Sequence, residues 1–82
     1  MELIIITPLY QQTYHIEWLE IRTPIGSFVI QPGHAPTVLV LMPQQKVTFG
    51  LLPSGKRESL MIQQGTVHIT RTCATLLLNE RA

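Results

Sequence analysis

The sequence predicts an all-β protein, a small sandwich of two antiparallel sheets with about eight short strands. Two observations carry this expectation. Turn-forming residues recur roughly every 8 to 12 positions, the spacing of a sandwich or barrel. No stretch of about ten residues shows an apolar period of 3.6, so no amphipathic helix is expected.

The elements follow in order. Leu3 to Ile6 is an apolar run closed by Thr7-Pro8, which reads as a first strand and a break. Gln11 to Thr13 reads as a turn. From Tyr14 to Thr23 the pattern is mixed, with Leu19 and Ile21 alternating with Glu20 and Arg22 and with Trp18 on the polar side. That is a half-buried strand, in which Trp18 either meets a partner or covers the sheet edge. Pro24 to Ser27 is a turn, and Phe28 to Ile30 a short strand.

The densest punctuation is Gln31-Pro32-Gly33-His34-Ala35-Pro36. Pro-Gly specifies a tight turn, and Pro36 holds Ala35 out of the helical region. A rigid, exposed loop carrying one imidazole is expected. Thr37 to Met42 is apolar after its first residue, as a strand buried on both faces would be, and Pro43 ends it. Lys46 to Leu52 turns Val47, Phe49 and Leu51 inward. A hairpin turn at Pro53 to Lys56 leads into a strand from Arg57 to Gln63, with Leu60 and Ile62 inward. After a kink at Gln64-Gly65, Val67, Ile69 and Arg71 alternate with Thr66, His68 and Thr70. Cys73 to Leu78 is the last strand.

The 82 residues suit one domain spanning 1–82. Hydrophobic residues make up 45% and charged residues only 13%, against about a quarter charged in ordinary soluble domains. Either apolar surface is left for a partner, or Thr, Gln and Ser cover the outside. The net charge is +1 and the basic residues are scattered, so the clustered stripe of a nucleic-acid footprint is missing. Cys73 is the only cysteine, so no internal disulfide is expected. The apolar opening is too short for a signal peptide, and no run reaches membrane-spanning length. An intracellular setting is the expectation.

Catalytic chemistry finds little support. The five acidic residues are all Glu, and Glu17 and Glu20 have opposite strand parity, which should keep them on different faces. His68 and Cys73 lie five residues apart across a turn, too few ligands for a structural zinc and unaccompanied as a nucleophile pair. Ser54-Gly55-Lys56 lacks the upstream glycines and following helix of a phosphate loop. No catalytic residue, cofactor or metal ligand is therefore assigned. His34 is the polar residue singled out: its imidazole either staples its own loop or is presented to a partner at low ordering cost.

The run from Pro24 to Pro36 (PIGSFVIQPGHAP) resembles the central signature of the epsilon subunit of F-type ATP synthases, called delta in mitochondria. Ile5 to Pro8 resembles that family's first strand and its end. Ile62 to Ile69 sits where the family has a glycine-containing strand, and Ala74 to Leu78 where it has its last. The resemblance implies a sandwich at the foot of the central stalk, packed on the gamma subunit and resting on the c-ring, with membrane contact only through that ring. It implies no catalysis by this chain itself, but coupling of proton or sodium flow to ATP synthesis from a peripheral position on the cytoplasmic face of the membrane.

Carried over residue by residue, His34 and Ala35 fall on the gamma side and Ser27, Phe28 and Gln31 on the ring side. Ser27 stands where the family usually has an acidic residue, so a charge-assisted bond to the ring would be lost. Phe28 is equally a core candidate. Val29 and Gln64 stand where the family often has glycine. Typical members continue into a C-terminal helical hairpin that can restrain ATP hydrolysis and in some members binds ATP; Glu80-Arg81-Ala82 lie where it would begin. A free-standing interaction adaptor of the same fold is the alternative, and a small thiol enzyme using Cys73 and His68 the third reading.

Overall fold

The structure is a computed structural model and describes residues 1–78. It contains β1 (Glu2–Ile6), β2 (Gln11–Thr23), β3 (Gly26–Ile30), β4 (Thr37–Val40), β5 (Gln45–Leu51), β6 (Arg57–Ile62), β7 (Gly65–Ile69) and β8 (Cys73–Leu78). The expected all-β class and strand number hold, and no helix occurs among the described residues. The junction at Glu80 to Ala82 lies outside them.

The long strand β2 serves two sheets. Its first residues pair with β1, which continues through β8 and β7 to β4; its later residues pair with β3 on one side and β5 on the other, with β6 beyond. One cluster fills the space between. Leu3, Ile5, Val67, Ile69, Leu76 and Leu78 come from the first sheet, and Leu19, Ile21, Ile30, Val47, Phe49 and Ile62 from the second. Each fully buried Leu or Ile contributes on the order of 2 kcal/mol. Tyr14 joins the two layers, its ring centroid 5.1 Å from that of Phe49.

Four expectations are corrected. First, β1 and β8 run parallel, Glu2 opposite Cys73 and Ile6 opposite Leu77, so the sheets are not purely antiparallel. Second, Gln11 to Thr13 belong to β2, opposite Ile6 to Ile4. The turn comes earlier because the Thr7 hydroxyl accepts hydrogen bonds from the Leu9 and Tyr10 amides, at 3.2 and 3.1 Å. Thr23 and Thr70 make the same kind of turn: their hydroxyls accept from Ile25 and Cys73 amides and donate to the carbonyls of Gly26 and Cys73.

Third, Thr37 to Met42 does not form a central strand. β4 stops at Val40 and lies at the edge of its sheet, paired with β7. Leu39 packs against the core while Val38 and Val40 are 59% and 63% exposed. An apolar run without alternation reads as buried on both faces, yet here one face has no cover among the described residues. Fourth, strand parity fails inside β2. Ile16 is opposite Leu51 and Trp18 opposite Gly50, so Glu17 is an extra residue, a β-bulge. Ile16 and Leu19 both point inward, and Glu17 and Glu20 are both exposed.

Trp18 lies across Gly50, and the Arg57 guanidinium stacks 5.2 Å from the indole centroid. The tryptophan therefore covers its own sheet's outer face. A Cβ at Gly50 would come within 2.8 Å of the Trp18 Cε2 atom, so only glycine lets the indole lie flat. Gly65 is fixed for a similar reason, since a Cβ there would sit 2.7 Å from the Leu77 carbonyl oxygen.

Gly50→Ala is expected to cost about 1–3 kcal/mol in urea unfolding and to shift Trp18 fluorescence to the red as the indole lifts. Adding Trp18→Leu should recover part of that loss; unchanged stability and emission in the single variant would show that the indole is not seated there.

Candidate functional site

The site residues are positioned by the ends and the outer surfaces of the two sheets. The loop 31–36 joins β3 to β4. Pro32 and Gly33 occupy the centre of a turn in which the His34 amide donates to the Gln31 carbonyl at 3.2 Å, and Gly33 has a φ of +87°, as the third residue of a type II turn requires. The Gly33 amide in turn donates to the Arg71 carbonyl at 2.8 Å, tying the loop to the β7–β8 turn. Arg71 was not singled out in the sequence, and no local signal marks it, because the contact joins segments nearly 40 residues apart.

His34 is half-buried, and its Nδ1 is 2.7 Å from the Ala35 carbonyl oxygen, an acceptor, so Nδ1 carries the hydrogen. The imidazole thus does staple its own loop. That bond occupies Nδ1 and leaves the Nε2 edge for other contacts. Ala35 and Gln31 are exposed beside it.

Ser27 sits apart from these. It lies next to the Thr23–Gly26 turn, opposite Arg22, while Ile30 at the other end of β3 is opposite Leu19. Four residue steps along extended chain separate Ser27 from Gln31, roughly 13 Å. The structure therefore groups Gln31 with His34 and Ala35, not with Ser27. Phe28 faces the other way: it pairs with buried Ile21 and packs against the core, while Ser27 and Val29 face out. Val29 sits in regular strand, so glycine is not needed there.

Two outer faces complete the surface. On the second sheet Val29, Glu20, Thr48 and Ser59 line one row, and the Thr48 and Ser59 hydroxyls are 3.2 Å apart. On the first sheet, one row runs Val40, Thr66, Leu77, Ile6 and the next Val38, His68, Thr75, Ile4. This second surface is unusually apolar for an outer face, and its advance signs were the low charge content and the unbroken apolar runs that supply Ile4, Ile6, Val38, Val40 and Leu77.

No group of three or more His, Cys, Asp or Glu among the described residues is placed to hold a metal ion. His68 is exposed opposite Thr75, and Cys73 is half-buried with its Sγ 3.9 Å from the Thr75 hydroxyl. A shallow surface cavity of about 350 Å³ is lined by Val40, Leu41, Pro43, Gln64, Gly65 and Thr66, with no titratable side chain. What the arrangement offers is shaped, largely uncharged surface on a stiff frame.

Neither a protein-family model nor a curated protein matches the chain by sequence. Solved structures do match by shape. A chain of the mitochondrial ATP synthase central stalk and c-ring of Tetrahymena thermophila overlays 98% of this chain with a TM-score of 0.78 at 18% identity. A chain of the Euglena gracilis mitochondrial ATP synthase, from the OSCP/F1/c-ring assembly in rotational state 1, overlays 95% with a TM-score of 0.76 at 23% identity. At these identities the likeness is one of fold. The chain spans 63% and 49% of the length of those two chains.

The backbone of loop 31–36 should matter more to its order than the imidazole does. Gly33→Ala forces a side chain into left-handed φ and is expected to cost about 1 kcal/mol, whereas His34→Ala should cost about 0.5 kcal/mol. Chemical denaturation compares the two, and the reverse order would show that the ring holds the loop.

Proposed function

We propose that this chain is the β-sandwich of an ATP synthase epsilon subunit (delta in mitochondria), a non-catalytic central-stalk component linking gamma to the c-ring. The observation that carries the reading is the overlay of nearly the whole chain, at a TM-score of 0.78, on a chain from a central stalk and c-ring assembly. The PIGSFVIQPGHAP run supports it independently, because the residues that carry the resemblance form the hairpin at Gly26 and the tethered loop at His34.

The mechanism is mechanical. Rotation of the ring would pass through the sandwich to gamma, and ion flow would thereby reach ATP synthesis without a reaction on this chain. A continuous hydrogen-bonded frame with one core resists shear, and short loops fixed at both ends transmit it. In this reading His34, Ala35 and Gln31 contact one partner, with gamma the assigned one for His34 and Ala35. Ser27, at the opposite end of β3, contacts another, assigned to the c-ring. The protein would work as a peripheral subunit at the membrane, reaching it through the ring.

Native mass spectrometry of the chain mixed with gamma from the same organism is expected to give a one-to-one complex. Ala35→Glu should reduce the complex at least tenfold, since it sets a charge on an exposed loop position without entering the core. A folded chain that forms no complex at micromolar concentrations would favour the free-standing adaptor.

A further inference from the structure

The free edge of β4 has an inventory that fits a second copy of itself. Leu41 donates its amide to the Gly65 carbonyl at 3.0 Å, continuing the β4–β7 register in which Val40 is opposite Thr66. In an antiparallel ladder such pairs alternate, so Leu39 and Thr37 also bond toward β7, and the N–H and C=O groups of Val38 and Val40 point away from it. No strand lies on that side among the described residues.

The positions of the same parity on either side close the edge. Pro36 has no N–H to offer. The Met42 amide already donates to the Arg22 carbonyl at 2.9 Å. Val38 and Val40 are thus the edge donors that remain, two residues apart.

That pattern is self-complementary. We infer that β4 pairs antiparallel with β4 of a second copy, Leu39 on the two-fold axis, Val38 of each chain opposite Val40 of the other. Both valines then exchange N–H···O=C bonds with their counterparts, and the first sheets of the two copies become one continuous sheet. The exposed side chains of Val38 and Val40 meet across the seam as β-branched pairs.

Charge does not oppose the pairing. Thr37 to Val40 and the β7 residues opposite them, Ile69 to Thr66, include no Lys, Arg, Asp or Glu. The outer edge of the other sheet differs, since β6 begins with Arg57 and Glu58. The dimer is closed, because β4 is consumed by the contact, and it is weak, because a four-residue strand buries less than a standard interface. The inference is independent of the stalk reading: it concerns the free chain, whichever partner the assembled protein has.

Sedimentation equilibrium over roughly 10 μM to 1 mM, a range suited to weak association, tests it together with amide exchange by NMR. The weight-average mass should rise toward two chains, and the Val38 and Val40 amides should slow with concentration. Val40→Pro removes an edge donor while sparing the ladder to β7, and Val38→Lys sets like charges across the seam. Each should raise the association midpoint about tenfold or more. A mass of one chain throughout, a dimer unaffected by both variants, or protection appearing on β3 or β6 instead would each overturn the inference.

Discussion

At Glu17, β2 sets two residues against one of β5, and that extra residue decides how thirteen residues can face a single core. Without it, a strand that points Tyr14 and Ile16 inward would point Trp18, Glu20 and Arg22 inward as well, and Leu19 and Ile21 would lie in water. With it, the inward set switches from even to odd positions as the strand passes from one sheet to the next. Bulges also increase local twist, which is what a strand needs when it leaves one layer to join another. The indole of Trp18 then falls on the outer surface, where Gly50 leaves room for it and Arg57 closes over it.

The sequence made the strands legible wherever turn residues and apolar alternation agreed, as in β5 and β7. It misled where the information was not local. The unbroken run from Thr37 to Val40 gives no sign of which face lacks a neighbour, because that depends on β4 having only β7 beside it. The turn after β1 depends on a threonine hydroxyl in place of a glycine, and Thr7-Pro8 shows only that a break begins. The bulge is marked by a change of apolar parity between Ile16 and Leu19, which the mixed pattern of Tyr14 to Thr23 contained but did not place. For the candidate site, loop 31–36 was legible because Pro and Gly specify backbone angles. The tether to Arg71 and the division of Ser27 from Gln31 were not, since both come from the pairing of distant segments.

The surfaces left by this architecture are chemically quiet and geometrically definite. Loop 31–36 is held at its turn, at its imidazole and at Arg71, so it presents Ala35 and the Nε2 edge of His34 with little freedom left to lose on contact. The opposite end of β3 is shaped by the Thr23 hydroxyl and by Gly26, whose φ of +137° suits a residue without a side chain. Recognition at either end would depend on shape and on backbone groups, with an exposed arginine near each, Arg22 opposite Ser27 and Arg71 beside the loop.

The parallel pairing of β1 with β8 has a consequence for biosynthesis. β1 lies between β8 and β2, so a strand made early is completed by one made about 70 residues later, Glu2 waiting for Cys73. Until residues 73–78 emerge, Leu3 and Ile5 have a neighbour on one side only, and β7 has no bridge to the rest of its sheet. The second sheet is different: β2, β3, β5 and β6 are all made well before and pair without β8. A nascent chain can therefore assemble the second sheet first, while the other sheet must wait for β8, with its edge open to chaperones in the interval.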